Sequence, residues 1–167
     1  METKLTRIAE LAKRRPRIKL QTLIHAIDED ALRVCHEDMK ANKAAGIDEV
    51  TKLEYSENLQ ENIKGLIARM KRQAYKPQPV RRAYIPKADG KKMRPLGIPT
   101  YEDKLVQKAI NDILTAIYET EFLDCSYGFR PGRSCHDAIK AVARIVETRK
   151  VSYIVDADIK GFFGAPG

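Results

Sequence analysis

What the sequence lacks narrows it first. No apolar run is long enough to cross a bilayer, which excludes a helical membrane span, and the opening residues have no secretory apolar core. Cysteine is scarce: Cys35, Cys125 and Cys135 are odd in number and form no Cys-x-x-Cys pair. Reduced thiols in a cytoplasmic protein are the simplest reading. Cys35-His36 and Cys135-His136 place potential ligands side by side, but adjacent residues rarely chelate one metal and the spacing matches no common zinc site. Repeats and low-complexity tracts are absent too. One absence is local: from Ile63 to Thr100 there are eleven cations and a single anion, Asp89. That stretch carries +10, more than the whole chain's +8, so the remainder is slightly acidic. Charge concentrated in this way points to a polyanionic partner, nucleic acid before membrane, against the plainer reading of a solvated basic face.

What is present fits one ordinary globular domain or slightly more: 167 residues, 43% hydrophobic and 32% charged, enough for a real core. Leu5, Ile8, Leu11 and Ala12 recur at helical spacing before a break at Pro16. A second helix is expected over 20–42, with Asp28-Glu29-Asp30 marking a kink or a short turn and Gly46 standing where a stop is due. Thr51 and Glu54 have the spacing of a capping box, in which each side chain satisfies the other residue's free amide. The helix that follows puts Leu59, Ile63, Leu66, Ile67 and Met70 on one stripe and Lys64, Arg69, Lys71 and Arg72 opposite. Thr100 opens another helix, whose Leu105, Val106, Ala109, Ile110, Ile113, Leu114 and Ile117 predict the most deeply buried element. Ser134 and Asp137 cap one more, expected to bury Ala138, Val142, Ile145 and Val146. Val151–Val155 is an apolar run of strand length, expected to be fully covered.

The stretch from Val80 to Thr100 reads as two extended arms around a turn at Ala88-Asp89-Gly90. Prolines 86, 95 and 99 each remove a ladder donor, so an edge hairpin is expected rather than a central strand pair. Its cations, among them Arg81, Arg82, Lys87 and Arg94, suit it to phosphates. In the turn-rich loop 124–133, Arg130 and Arg133 are read either as phosphate ligands or as braces of their own loop. Tyr127 and Phe129 are read as packing residues ahead of base-stacking ones. Asp158 ends the apolar run, two residues after Asp156. A carboxylate there is costly unless paired or metal-bound, the simpler alternatives being an exposed strand end or a partner for Lys160. An Asp-x-Asp pair also occurs in nucleotide-sugar transferases, but no nucleotide-binding fold pattern accompanies it.

Taken in order, Ile85-Pro86-Lys87 with Arg94-Pro95-Leu96-Gly97-Ile98-Pro99, then Ser126 to Ser134, then Asp156-Ala157-Asp158-Ile159-Lys160-Gly161-Phe162-Phe163, the series resembles the reverse transcriptases encoded by group II introns, the intron maturases. Ala45-Gly46-Ile47-Asp48 and the helix into Tyr75-Lys76-Pro77 resemble the family's opening blocks. The resemblance implies an α+β fold: a mainly helical fingers subdomain of a right-hand polymerase with a small antiparallel sheet. Residues 1–43 would be a helical N-terminal extension, 44–150 the fingers, and 151–167 the first palm strand. Asp158 matches a catalytic aspartate that ligates Mg2+. Lys87 and Arg94 match residues that grip the incoming dNTP, and Phe163 one that excludes a 2′-hydroxyl, the alternative for Phe163 being a core position. Leu96, Gly97, Ile98 and Pro99 match the surface under the templating base. Arg69, Arg72, Arg81, Arg82, Arg130 and Arg133 are expected to hold RNA template or intron RNA, with a DNA primer as the further partner.

Two departures accompany the resemblance. Position 164 is Gly where the family continues with aspartate, and Gly164-Ala165-Pro166-Gly167 reads as a linker or truncation. The family's Tyr-x-Asp-Asp block, which brings the other palm carboxylate, does not occur in these 167 residues. The chain is therefore expected to be a piece of a polymerase, inactive by itself. The competing expectation is a non-catalytic intron-RNA-binding module that supports splicing.

Overall fold

The computed structural model describes residues 2–15, 18–86, 90 and 92–159. Lys87, expected to hold the nucleotide, and Phe163, expected to exclude the 2′-hydroxyl, lie outside the described residues. Packing divides the chain into two units, Met1–Glu121 and Phe122–Gly167.

In the first unit α1 (Glu2–Arg14) is followed by a 3-10 turn (Leu23–Ala26), α2 (Glu29–Asp38), α3 (Lys52–Glu57) and α4 (Leu59–Lys71). Strands β1 (Arg81–Pro86) and β2 (Met93–Ile98) then form a two-stranded antiparallel sheet, and α5 (Tyr101–Tyr118) closes the unit. The class is α+β, as expected.

The core forms around α5. Leu105 and Ala109 are completely buried, with Val106 and Ile113 nearly so, in one cluster with Leu32 and Cys35 of α2 and Ile63, Leu66 and Ile67 of α4. Both α1 and α2 pack on α5, so packing does not separate residues 1–43 from the rest of the unit. Cys35 behaves as a small apolar residue. Burial, joined by the charge of Asp112, pushes its thiol up to about 11, and the S–H points at Asp112 Oδ2 from 3.7 Å. All three cysteines are free. His36 is buried as well, its Nδ1 2.8 Å from the Tyr101 hydroxyl and its Nε2 3.1 Å from Ser56 Oγ.

Two helices are shorter than the apolar pattern predicts, each for a polar reason. The single helix expected over 20–42 gives way to the 3-10 turn and α2, because Asp28 caps α2 by accepting from the Ala31 amide at 2.9 Å. An aspartate gains more from that bond at a helix start than inside a helix. Lys4 of α1 pairs with its other oxygen. Burial raises the Asp28 carboxyl, but the Lys4 and Ala31 hydrogen bonds outweigh it and hold the group below its usual value. After the Thr51–Glu54 capping box, which forms as expected, the chain breaks again at Asn58, whose backbone is non-helical. There the Asn62 amide donates to the freed Tyr55 carbonyl at 3.1 Å.

The second unit contains α6 (Cys135–Thr148), started by the expected Ser134–Asp137 capping box. Here two expectations are corrected. None of Ala138, Val142, Ile145 and Val146 is buried, and α6 has no buried residue at all. Val151–Val155 has no strand pairing and is exposed, Tyr153 and Val155 by 89% and 87%. A strand exists only through a neighbour's ladder groups, and the described residues of this unit contain no second strand.

Candidate nucleic-acid interface

The basic hairpin depends on how its two ends are held. Just before β1, Gln78 N donates to Asp103 Oδ2 at 3.0 Å, and the Tyr75 hydroxyl donates to Asp103 Oδ1. Just after β2, Thr100 Oγ1 donates to Asp103 Oδ2 at 2.7 Å and accepts from the Asp103 amide, capping α5. Asp103, only 3% exposed, thus gathers both ends of the hairpin onto the first turn of α5. Burial and this bond to the carboxylate together push the Tyr75 phenol up. The sequence signal for Asp103 was its capping distance from Thr100. Nothing in the sequence marked its hold on Tyr75 and Gln78.

A second clamp comes from the loop before α3. Ala45 O accepts two bonds from Arg81, at 3.1 Å from Nε and 2.8 Å from Nη2, and Ala44 O accepts from Lys104 of α5. Gly46 makes the approach feasible: a Cβ there would lie 2.5 Å from Thr100 Cα and 2.7 Å from Pro99 O, both backbone atoms that cannot yield. Gly46, expected to be a helix stop, is instead the point where this loop meets the base of the hairpin.

The strands pair in the register Arg81 to Ile98, Arg82 to Gly97, Ala83 to Leu96, Tyr84 to Pro95, Ile85 to Arg94 and Pro86 to Met93. Side chains alternate between the faces. Arg94, Leu96 and Ile98 therefore share one face with Arg81, while Gly97 and Arg82 belong to the other. Of the residues expected to underlie the templating base, Leu96 and Ile98 thus lie on one face and Gly97 on the other.

The arginines expected to hold RNA differ in their engagements. Arg69 pairs with Glu102, Arg72 turns back to the Ala68 carbonyl at 3.2 Å, and Arg81 is bound to Ala45. Arg82 and Arg94 are exposed and make no ion pair among the described residues.

In the second unit Arg130 and Arg133 act as braces. Arg130 Nη1 donates to the carbonyls of Leu123 and Ser126 at 2.8 and 3.0 Å, its guanidinium 5.0 Å from the Phe122 ring centre. Arg133 donates to Asp124 O at 2.9 Å and pairs with its carboxylate at 3.3 Å, lying 5.5 Å from the Tyr127 ring centre. The braced loop projects Phe129, fully exposed at φ +57°, a conformation unusual for a bulky residue. Its expected packing role is corrected accordingly.

Asp156 and Asp158 are both exposed. Among the described residues no three His, Cys, Asp or Glu side chains come together as a metal site, and the pair around Asp158 is too small a set for two Mg2+ ions. The described donors do not fit the two metal ions that the resemblance implies.

Residues 85–165 match the family described as reverse transcriptase (RNA-dependent DNA polymerase). The group II intron-encoded protein LtrA of Lactococcus lactis subsp. cremoris is 48% identical over 137 residues, 80% of this chain and 22% of its own length. Protein YkfC of Escherichia coli (strain K12) is 34% identical over 166 residues, 94% of this chain and 43% of its own. An uncharacterized 91 kDa protein in the cob intron of Schizosaccharomyces pombe is 41% identical over 98 residues, 59% of this chain and 12% of its own. The chain thus spans less than half the length of these relatives. No helix among the described residues is long and apolar enough to cross a membrane.

Proposed function

We propose, on the premise that this chain is a relative of the group II intron-encoded reverse transcriptases, that it forms the fingers and first palm segment of an RNA-directed DNA polymerase. In this reading residues 1–43 are an N-terminal extension, 44–150 the fingers and 151–167 the start of the palm. The observation that carries it is the basic hairpin itself. It is held at both ends by Asp103 and at its base by Ala45, and it exposes Arg94, which makes no ion pair among the described residues. A fixed, protruding, cationic ribbon suits a triphosphate, which Arg94 would grip as a planar fork with Lys87 as a point charge. It equally suits a template strand laid along Leu96, which is 44% exposed.

Asp158 enters as one ligand of the divalent ions that such enzymes use, to be joined by further carboxylates. The 167-residue chain alone is inactive as a polymerase in this reading, and the partners of the whole protein are intron RNA, template RNA, a DNA primer and dNTP. Its place is the reducing cytoplasm, consistent with three free thiols.

Primer extension by the full polypeptide that carries this chain tests the reading. Asp158→Ala should abolish cDNA synthesis, and unchanged synthesis sinks the catalytic assignment. Splicing of the intron measured on the same variant addresses the rival role: retained splicing with lost synthesis assigns the RNA-binding surface an independent use.

A further inference from the structure

The two faces of the hairpin are not equivalent. The face with Arg81, Arg94, Leu96 and Ile98 is anchored, since Ile98 is only 9% exposed and Arg81 is committed to Ala45. The opposite face carries Arg82, Tyr84 and Pro86 from β1 and Met93, Pro95 and Gly97 from β2. Tyr84 and Met93 there are 57% and 54% exposed. At the inner end the Val80 side chain lies against Gly97, its Cγ2 3.0 Å from where a Cβ would stand. The result is an exposed platform with an aromatic ring at its centre and, two residues away along β1, a guanidinium that makes no ion pair among the described residues.

The geometry points to this second face as a site for a single-stranded RNA segment, distinct from any strand on the Arg94 face, with a base stacked on Tyr84 and a phosphate on Arg82. Charge selects the class of partner: the platform lies within the stretch of net +10, which repels basic and favours polyanionic occupants. The ring selects single strands. A base inside a duplex already has both faces stacked, whereas an unpaired base offers a π-face to an aromatic side chain. Prolines 86 and 95 remove backbone donors, which discourages a protein segment from adding as a third strand. The inference rests on the nucleic-acid reading of the hairpin and is independent of the role of Asp158.

The chain contains no tryptophan, so Tyr84→Trp installs a sole indole as reporter. Oligouridylate of about ten nucleotides should quench its emission, and a duplex RNA of equal length should not. Tyr84→Ala should weaken oligouridylate binding about tenfold, within the range measured for base–aromatic stacking, while Tyr84→Phe retains it. Arg94→Ala serves as the control on the other face. If Arg94→Ala weakens binding while Tyr84→Ala and the indole are silent, the second face is not a site although the hairpin still binds RNA. If the unaltered chain does not bind oligouridylate, or binds it without salt dependence, the nucleic-acid reading falls and the second face with it. Equal quenching by duplex RNA or by polyglutamate overturns the assignment to single strands.

Discussion

The two units solve the problem of order differently. Residues 1–121 are organised by burial: α5, α2 and α4 share a continuous apolar cluster with Leu32, Leu66 and Leu105 completely out of water. Residues 122–159 bury no side chain fully, yet their loop is specified in detail by two arginines that donate to backbone carbonyls and stand over aromatic rings. Amphipathicity alone therefore says little about burial. Helices α5 and α6 both carry an apolar stripe and a good N-cap, but the stripe of α5 is buried while α6 has no buried residue.

The contrast can be broken most severely in the first unit. Leu105→Ala removes a completely buried side chain from a cluster that cannot collapse around the void, at a cost of about 2–5 kcal/mol in a urea melt. A loss below about 1 kcal/mol would show that the core is looser than its burial implies. Next in size is Asp103→Ala, which leaves the Tyr75 hydroxyl, the Gln78 amide and Thr100 without their acceptor. It should cost about 2–3 kcal/mol and, unlike Leu105→Ala, speed hydrogen exchange of β1 and β2 more than that of α5.

A smaller effect should follow from pH. Burial, aided by the nearby charge of Lys52, holds the His36 imidazole below its ordinary value of 6.5. The unfolded chain then takes up a proton near pH 6.5 that the folded chain refuses until lower pH, so stability present at neutral pH is lost as pH falls through that interval. The urea midpoint should decline below about pH 6.5, and His36→Gln should flatten the decline. Smallest of all should be Val142→Ala in α6, within about 0.5 kcal/mol, as for a surface position. A larger loss would mean that the apolar face of α6 is covered in solution, and would erase the distinction between the units.

Much of the molecule could be read from residue order. Thr51 with Glu54, Thr100 and Ser134 with Asp137 are local capping signals, and all three started helices where expected. The paired strands were legible from the strand-type arms on either side of Gly90, and the local concentration of positive charge from eleven cations with one acid. These features depend on neighbours within a few residues, which the sequence displays directly.

Other features required the folded chain. Asp103 became the anchor of the hairpin only when Tyr75 and Gln78, distant in sequence, arrived beside it. Gly46 was necessary because the backbone of Pro99 and Thr100 occupies the space of its missing Cβ. The break at Asp28 was foreshadowed as a kink or turn, but the choice depended on Lys4 reaching it from α1. Sequence by itself determined the helix caps, the polarity of the helices and where positive charge concentrates, because capping, periodicity and net charge are local or additive. Tertiary structure decided which apolar faces are buried, which arginines are already engaged and which face of the hairpin each side chain occupies. Those are set by contacts and register between residues that are neighbours only in space.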